Sequence, residues 1–217
     1  MGHLGREDAV ALSPPGVGTP VPDGFGCTSD DYRDWLAAEI SALPGPIDLI
    51  GHDWGGVHTL RVAMDRPELI RSWVCDVPGV FDTEYQWHDM AQGWQTPGIG
   101  EKSLEMLLAT PVEHRGAGLK ASGMSGSAAR EVATHMNEHM AKAILPLYRG
   151  AAQPFMGETG AHLEKAAAKP GLSSIATKDI YSGGTELSRR GAERTRAENV
   201  TTIGLGVVMT GQKPPTG

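Results

Sequence analysis

The sequence predicts an α/β protein, with a mostly parallel sheet and an inserted helical cap. Three observations carry this. Short apolar runs alternate with helix-like runs at both ends of the chain. A long middle block, from Phe81 to about Lys169, holds helical patterns rich in Met, Trp and Ala, with no clear strand. One strand-to-helix junction, Gly51-His52-Asp53-Trp54-Gly55-Gly56, sets an acid between glycines. The expected organisation is a first part of the α/β core in residues 1–80, the cap in 81–169 and the second part of the core in 170–217.

Each element has its own signal. Residues 8–13, "DAVALS", form a short apolar run stopped by Pro14-Pro15-Gly16, and read as a strand followed by a loop. Thr28, Ser29, Asp30 and Asp31 offer helix N-caps, after which Tyr32, Trp35, Leu36, Ile40 and Leu43 recur at helical spacing. Pro44-Gly45-Pro46 ends that helix. Residues 47–50 are the next strand. The helix after the junction runs through His58 to Asp65, and Arg66-Pro67 stops it. Residues 70–75 are a third strand. Beyond the cap, residues 172–176 read as a strand, 185–197 as a charged amphipathic helix and 200–205 as a last strand.

Bulk properties exclude several classes. With 40% hydrophobic and 6% aromatic residues, the chain can build a core, expected to be aliphatic and alanine-rich. The net charge of −7, without a Lys/Arg cluster, argues against nucleic acid or an acidic membrane as partner. Two cysteines, Cys27 and Cys75, give neither a disulfide framework nor a metal-ligand spacing, and are expected to be reduced in a cytoplasmic protein. No apolar run is long enough to span a bilayer.

Gly-x-nucleophile-x-Gly between strand and helix is a nucleophile elbow. The glycines allow a tight turn, and the helix N-terminus behind it favours developing negative charge. A central Asp needs no base, since a carboxylate is ionised near neutral pH. It can attack an alkyl carbon and form an ester. The plainer reading of Asp53 is a helix N-cap.

The run "DLIGHDWGG" resembles the α/β-hydrolase superfamily, in the Asp-nucleophile branch of epoxide hydrolases and haloalkane dehalogenases. The resemblance implies an α/β-hydrolase fold and hydrolysis of a small apolar substrate, epoxide or haloalkane, without cofactor or metal. Asp53 would be the nucleophile. Trp54 would give a backbone N–H to the oxyanion hole, and its indole N–H would suit a leaving halide. Asp179, in "IATKDIYSGG", would be the acid after the penultimate strand, with Asp76 in reserve. Tyr148, in "LPLYRG", resembles a cap tyrosine that protonates the ring oxygen of an epoxide.

The resemblance also implies earlier strands with a His-Gly oxyanion loop, a base histidine after the last strand and a closing helix. The start "MGHLGR" and the end "TGQKPPTG" do not supply them, and no histidine follows His162. The chain therefore reads as an internal portion of the fold or a diverged copy of it, expected to alkylate itself and then stall. His52, His58, His88 and His114 are weak substitutes for the base; His52 is expected to point away from Asp53.

Two other classes compete. "HMNEH", residues 135–139, fits a His-x-x-Glu-His zinc pattern, against a solvated helix face. A catalytically impaired remnant or binding module, with a homodimer covering an open sheet edge, is the non-enzyme alternative.

Overall fold

The computed structural model describes residues 8–121 and 123–203. Its centre is a four-stranded, all-parallel sheet of β1 (Ile47–Ile50), β2 (Ile70–Cys75), β3 (Gly171–Ala176) and β4 (Asn199–Ile203), in the order β1-β2-β3-β4. Parallel neighbours require crossovers. α2 (Trp54–Asp65) connects β1 to β2, and α9 (Gly184–Arg194) connects β3 to β4. Between β2 and β3 the described residues form helices and no strand: α3 (Asp89–Gln95), α4 (Ile99–Ala109), α5 (Val112–Ala121), α6 (Gly126–His135), α7 (Glu138–Gly150) and α8 (Phe155–Gly160), with 3-10 turns at Pro78–Phe81 and Leu163–Ala168. This is a parallel sheet with a helical insertion, as the resemblance implies.

Local chemistry explains the boundaries. α1 (Ser29–Ser41) starts at a reciprocal capping box: the Thr28 hydroxyl accepts the Asp31 N–H, and the Asp31 carboxylate accepts the Thr28 N–H at 2.9 Å. β2 and β3 approach closely at Trp73 and Gly171, which are register partners. A Cβ on Gly171 would lie 2.0 Å from the Trp73 ring, so only glycine fits under the indole. The Trp73 indole N–H donates to the Ala166 carbonyl at 3.0 Å.

α2 is the central helix. It is buried from Gly56 to Met64 and packs with Ile70, Trp73, Phe81, Met156 and Leu163 into one core. The expected aliphatic core is corrected in one respect. The largest fully buried side chains are Trp73, Tyr32, Tyr85 and Phe81, so the few aromatics are concentrated inside. A buried aromatic supplies more apolar area than any aliphatic side chain, which favours placing scarce rings there.

Three local expectations are also corrected. Residues 8–13 are not a strand; Val10 is exposed, and this part of the chain makes only an isolated bridge between Pro15 and Thr19. Pro14 and Pro15 lack the N–H groups a ladder needs. α9 ends at Arg194 rather than 197, because Arg196 takes a positive φ of 52° that no α-helix accommodates. "HMNEH" is not one helix: α6 ends at His135 and Asn137 caps α7, its side-chain oxygen accepting the N–H groups of His139 and Met140. The two histidines therefore do not share a helix face. The start at residues 1–6, the end of the last predicted strand and the tail lie outside the described residues. Among the described residues, no helix is long and apolar enough to cross a membrane.

Candidate active site

The site forms where β1 and β2 end at the C-terminal edge of the sheet. That edge is where parallel α/β folds place their ligands. Gly51 continues the ladder, its N–H donating to the Val74 carbonyl at 2.9 Å, and the chain then turns sharply into α2. A Cβ on Gly51 would sit 2.1 Å from the Gly55 carbonyl oxygen and 2.4 Å from the Thr59 hydroxyl. Gly55 has open space where its Cβ would be, whereas Gly56 would push on Val77 at 2.9 Å. The close approaches at this corner are thus at Gly51 and Gly56.

Asp53 occupies φ 53°, ψ −126°, a conformation L-residues rarely adopt. Such a residue costs on the order of 1–3 kcal/mol and persists only where its surroundings hold it. Here the Asp53 carbonyl accepts the N–H groups of Gly56 and Val57, at 2.8 and 3.1 Å. Its own N–H donates to Asp76 Oδ1 at 3.1 Å. Although Asp53 stands at the N-cap position, its side chain makes no cap hydrogen bond. The plain N-cap reading is not what the geometry supports.

The carboxylate faces a small cavity of about 30 Å³, room for about two water molecules. Its walls include Asp53, Trp54, Trp87, His88, Tyr148 and Ser182. Asp53 is open to solvent through this space yet crowded by aromatic walls. That desolvation pushes its pKa above the usual aspartate value; the charge of His52 and the Trp54 backbone N–H pull the other way, and the carboxylates of Asp76 and Asp179 add to the rise.

Trp54 stacks between His58 and Trp87, with centroids 5.9 and 5.7 Å away, and meets the edge of Tyr148 at 5.2 Å. Tyr32 extends the stack beyond His58 at 4.9 Å. Trp54 packs against Tyr148 closely enough to favour its ionised form, against the larger rise that burial causes. Burial raises the Tyr148 pKa, with the negative charge of Asp53 adding to it, so the phenol keeps its proton.

Asp179 lies in the loop after β3, buried, where the sequence places it. It accepts hydrogen bonds from the Tyr181 N–H at 2.8 Å, the Ser182 N–H at 3.1 Å and the Ser182 hydroxyl. Asp179 thus braces its own turn while its charge bears on Asp53, His52 and His88. Asp76, the reserve acid, holds both the Asp53 amide and, at 2.5 Å, His52 Nδ1.

Three histidines surround the elbow and differ chemically. His58 is buried, its Nδ1 has no partner, and burial and nearby Arg61 lower its pKa to about 3. His88 lines the cavity and caps α3, its Nδ1 accepting the Ala91 N–H at 3.3 Å. Burial keeps His88 neutral, so its proton is on Nε2 and the ring is a hydrogen-bond donor. His52 carries the opposite bias: its bond to Asp76 raises its pKa, burial opposes this, and Asp76, Asp53 and Asp179 all favour its cation.

The structure brings Asp53, Trp54 and Tyr148 together at the cavity, with Asp179 adjacent. Sequence reasoning missed Tyr85, Trp87, Tyr181 and Ser182 as walls and the His52–Asp76 pair, while His88, weighed as a substitute base, lines the cavity and His114 does not. The pair "WH" at the foot of the cap was the available signal. Cys27 and Cys75 are free, buried thiols, and burial pushes Cys75 up to about 12, so it is no nucleophile near neutral pH. Among the described residues no cluster of His, Cys, Asp and Glu is arranged to hold a metal ion.

Comparisons with known proteins agree with this architecture. Residues 1–197 match the sequence model of the Alpha/beta hydrolase family. No curated protein matches the chain. Among solved structures, a bromoperoxidase from Bacillus anthracis is similar at TM-score 0.63 and 18% identity, over 86% of this chain and 70% of that one. An epoxide hydrolase from Vigna radiata is similar at TM-score 0.60 and 16% identity, over 87% and 71%. An E-2-(acetamidomethylene)succinate hydrolase is similar at TM-score 0.58 and 16% identity, over 85% and 68%. At these identities the likeness concerns the fold.

Proposed function

The chain belongs to the alpha/beta hydrolase family, and within it we propose that Asp53 is the nucleophile of a hydrolase acting on a small apolar epoxide or haloalkane through an alkyl-enzyme ester. One observation carries the reading. Asp53 is held at a positive φ on the elbow, free of any cap hydrogen bond, facing an aromatic cavity. A strained carboxylate aimed into a lined pocket is built to react.

In the first step an Asp53 oxygen attacks an electrophilic carbon of the substrate. A C–O ester bond forms and the bond to the leaving atom breaks. With an epoxide, the leaving ring oxygen takes the Tyr148 proton. Tyr148 suits this role because burial keeps its phenol protonated and it lines the same cavity as Asp53. A protonated phenol on the cavity wall favours epoxides over halides, because only the ring oxygen needs its proton. Trp54 adds its backbone N–H at the start of α2, where developing negative charge is favoured. Water then hydrolyses the ester.

The test is intact-protein mass and product formation with 1,2-epoxybutane and, separately, 1-bromobutane. The parent chain should form an adduct or product, and Asp53→Ala should form neither. Tyr148→Phe should slow the epoxide reaction by about 100-fold and the bromide reaction by less than about tenfold. Equal loss on both substrates would remove the preference for epoxides. Undiminished activity in Asp53→Ala would remove the nucleophile.

A further inference from the structure

The cavity that Asp53 faces has a second group on its wall able to hold a substrate, at the foot of the helical insertion. We propose that the Nε2–H of His88 binds an oxygen in the substituent of the substrate, so that the preferred substrates are small epoxides with an oxygen acceptor beside the ring. This rests on Asp53 being the nucleophile of an epoxide-opening reaction.

His88 is fixed by its own hydrogen bond. It stands at the N-cap of α3, where its Nδ1 accepts the Ala91 N–H at 3.3 Å. A nitrogen that accepts carries the lone pair, so in the neutral ring the proton is on Nε2. Burial favours that neutral ring, against the charges of Asp179 and Asp89. The ring meets Tyr181 edge-on at 5.0 Å, and both rings belong to the cavity wall. With Nδ1 turned to the backbone of α3, Nε2–H is the polar group that the ring can offer to that space.

Several other donors on the wall are spent inside the protein. The Tyr85 hydroxyl donates to the Tyr181 carbonyl at 2.6 Å, the Trp87 indole N–H to the Ala151 carbonyl at 3.1 Å, and the Ser182 hydroxyl to Asp179. Among the described residues no carbonyl or carboxylate accepts from His88 Nε2, and that nitrogen is not sealed from solvent. A donor left open on the wall of a small, largely apolar cavity is suited to orient a ligand.

Tyr148 serves the ring oxygen. Tyr148 and His88 both pack against Trp87, with centroids 5.3 and 6.5 Å away, and among the described residues their own rings make no contact with each other. Two donors that meet through an indole address two acceptors. The cavity is small, about 30 Å³, so the second acceptor must lie within a few bonds of the carbon that Asp53 attacks. An ether oxygen next to the ring meets both conditions. A hydrocarbon substituent at that place would leave Nε2–H without a partner once water is displaced, which disfavours that substrate.

The experiment compares glycidyl methyl ether with 1,2-epoxypentane, which has a CH2 where the ether has its oxygen, on the full chain. Each rate is read as adduct plus diol, less that of Asp53→Ala, and divided by the rate of the same epoxide with acetate in solution. The parent should favour the ether by about tenfold. His88→Asn keeps an acceptor for the Ala91 N–H and withdraws the donor from the cavity, and its preference should fall below about twofold. His88→Phe keeps a ring against Tyr181 and should lose the preference likewise. A parent preference near unity, or a preference intact in either variant, overturns the role of His88 and leaves the nucleophile standing. Reaction undiminished in Asp53→Ala, or none by the parent with either epoxide, overturns both.

Discussion

At Gly51 an added methyl group would collide with the Gly55 carbonyl, while at Gly55 it would meet nothing within 4 Å. The two glycines look equivalent in the motif and are not equivalent in space. Gly51→Ala should lower stability by about 3 kcal/mol, the upper end of overpacking costs. Gly55→Ala should be neutral or stabilise by up to about 1 kcal/mol, because alanine loses less freedom in the first turn of α2. Urea unfolding of both variants measures this. Asp53 was legible from the glycine spacing, but its strain and its missing cap bond were not, since both depend on where Asp76 sits after folding. Asp53 must be ionised to attack. Its pKa is raised, chiefly by desolvation, so the rate of adduct formation should fall with acid around a midpoint above that of an ordinary aspartate. A pH profile of adduct formation reads this directly, and a midpoint below that of free aspartate would contradict it.

The elements with strong local punctuation were legible. β1 and β2 match the predicted residues 47–50 and 70–75, and α1 starts at the predicted Thr28 cap. Residues 8–13 misled because an apolar run is a strand only if another strand accepts its hydrogen bonds. α9 misled because a positive φ at Arg196 is invisible in composition. α2 carries a consequence for stability. His58 is buried neutral with a pKa lowered to about 3 from an ordinary value of 6.5. Between those values the unfolded chain binds a proton that the folded chain refuses. The His58 contribution to stability is therefore full above pH 6.5 and is lost as pH falls toward 3. His58→Phe keeps a ring between Tyr32 and Trp54 and should flatten stability over that window, as thermal unfolding at several pH values would show. An unchanged slope would mean that other groups govern acid unfolding.

At the scale of the whole molecule, strand–helix alternation around a helical block revealed the parallel sheet with its insertion. What the linear order hid was the convergence of distant segments on one cavity. Asp53 and Trp54 come from the elbow, Trp87 and His88 from the start of the insertion, Tyr148 from α7, and Tyr181 and Ser182 from the loop after β3. No local pattern relates residues so far apart, because packing of α7 and α3 over the end of the sheet creates the contact. If this convergence serves a covalent step at Asp53, digestion of the chain after reaction with 1,2-epoxybutane should locate the added mass there by fragment-ion spectrometry. The expected adduct is on the Asp53 carboxylate and is absent from Asp53→Ala. An adduct on another side chain, with Asp53 unmodified, would contradict it.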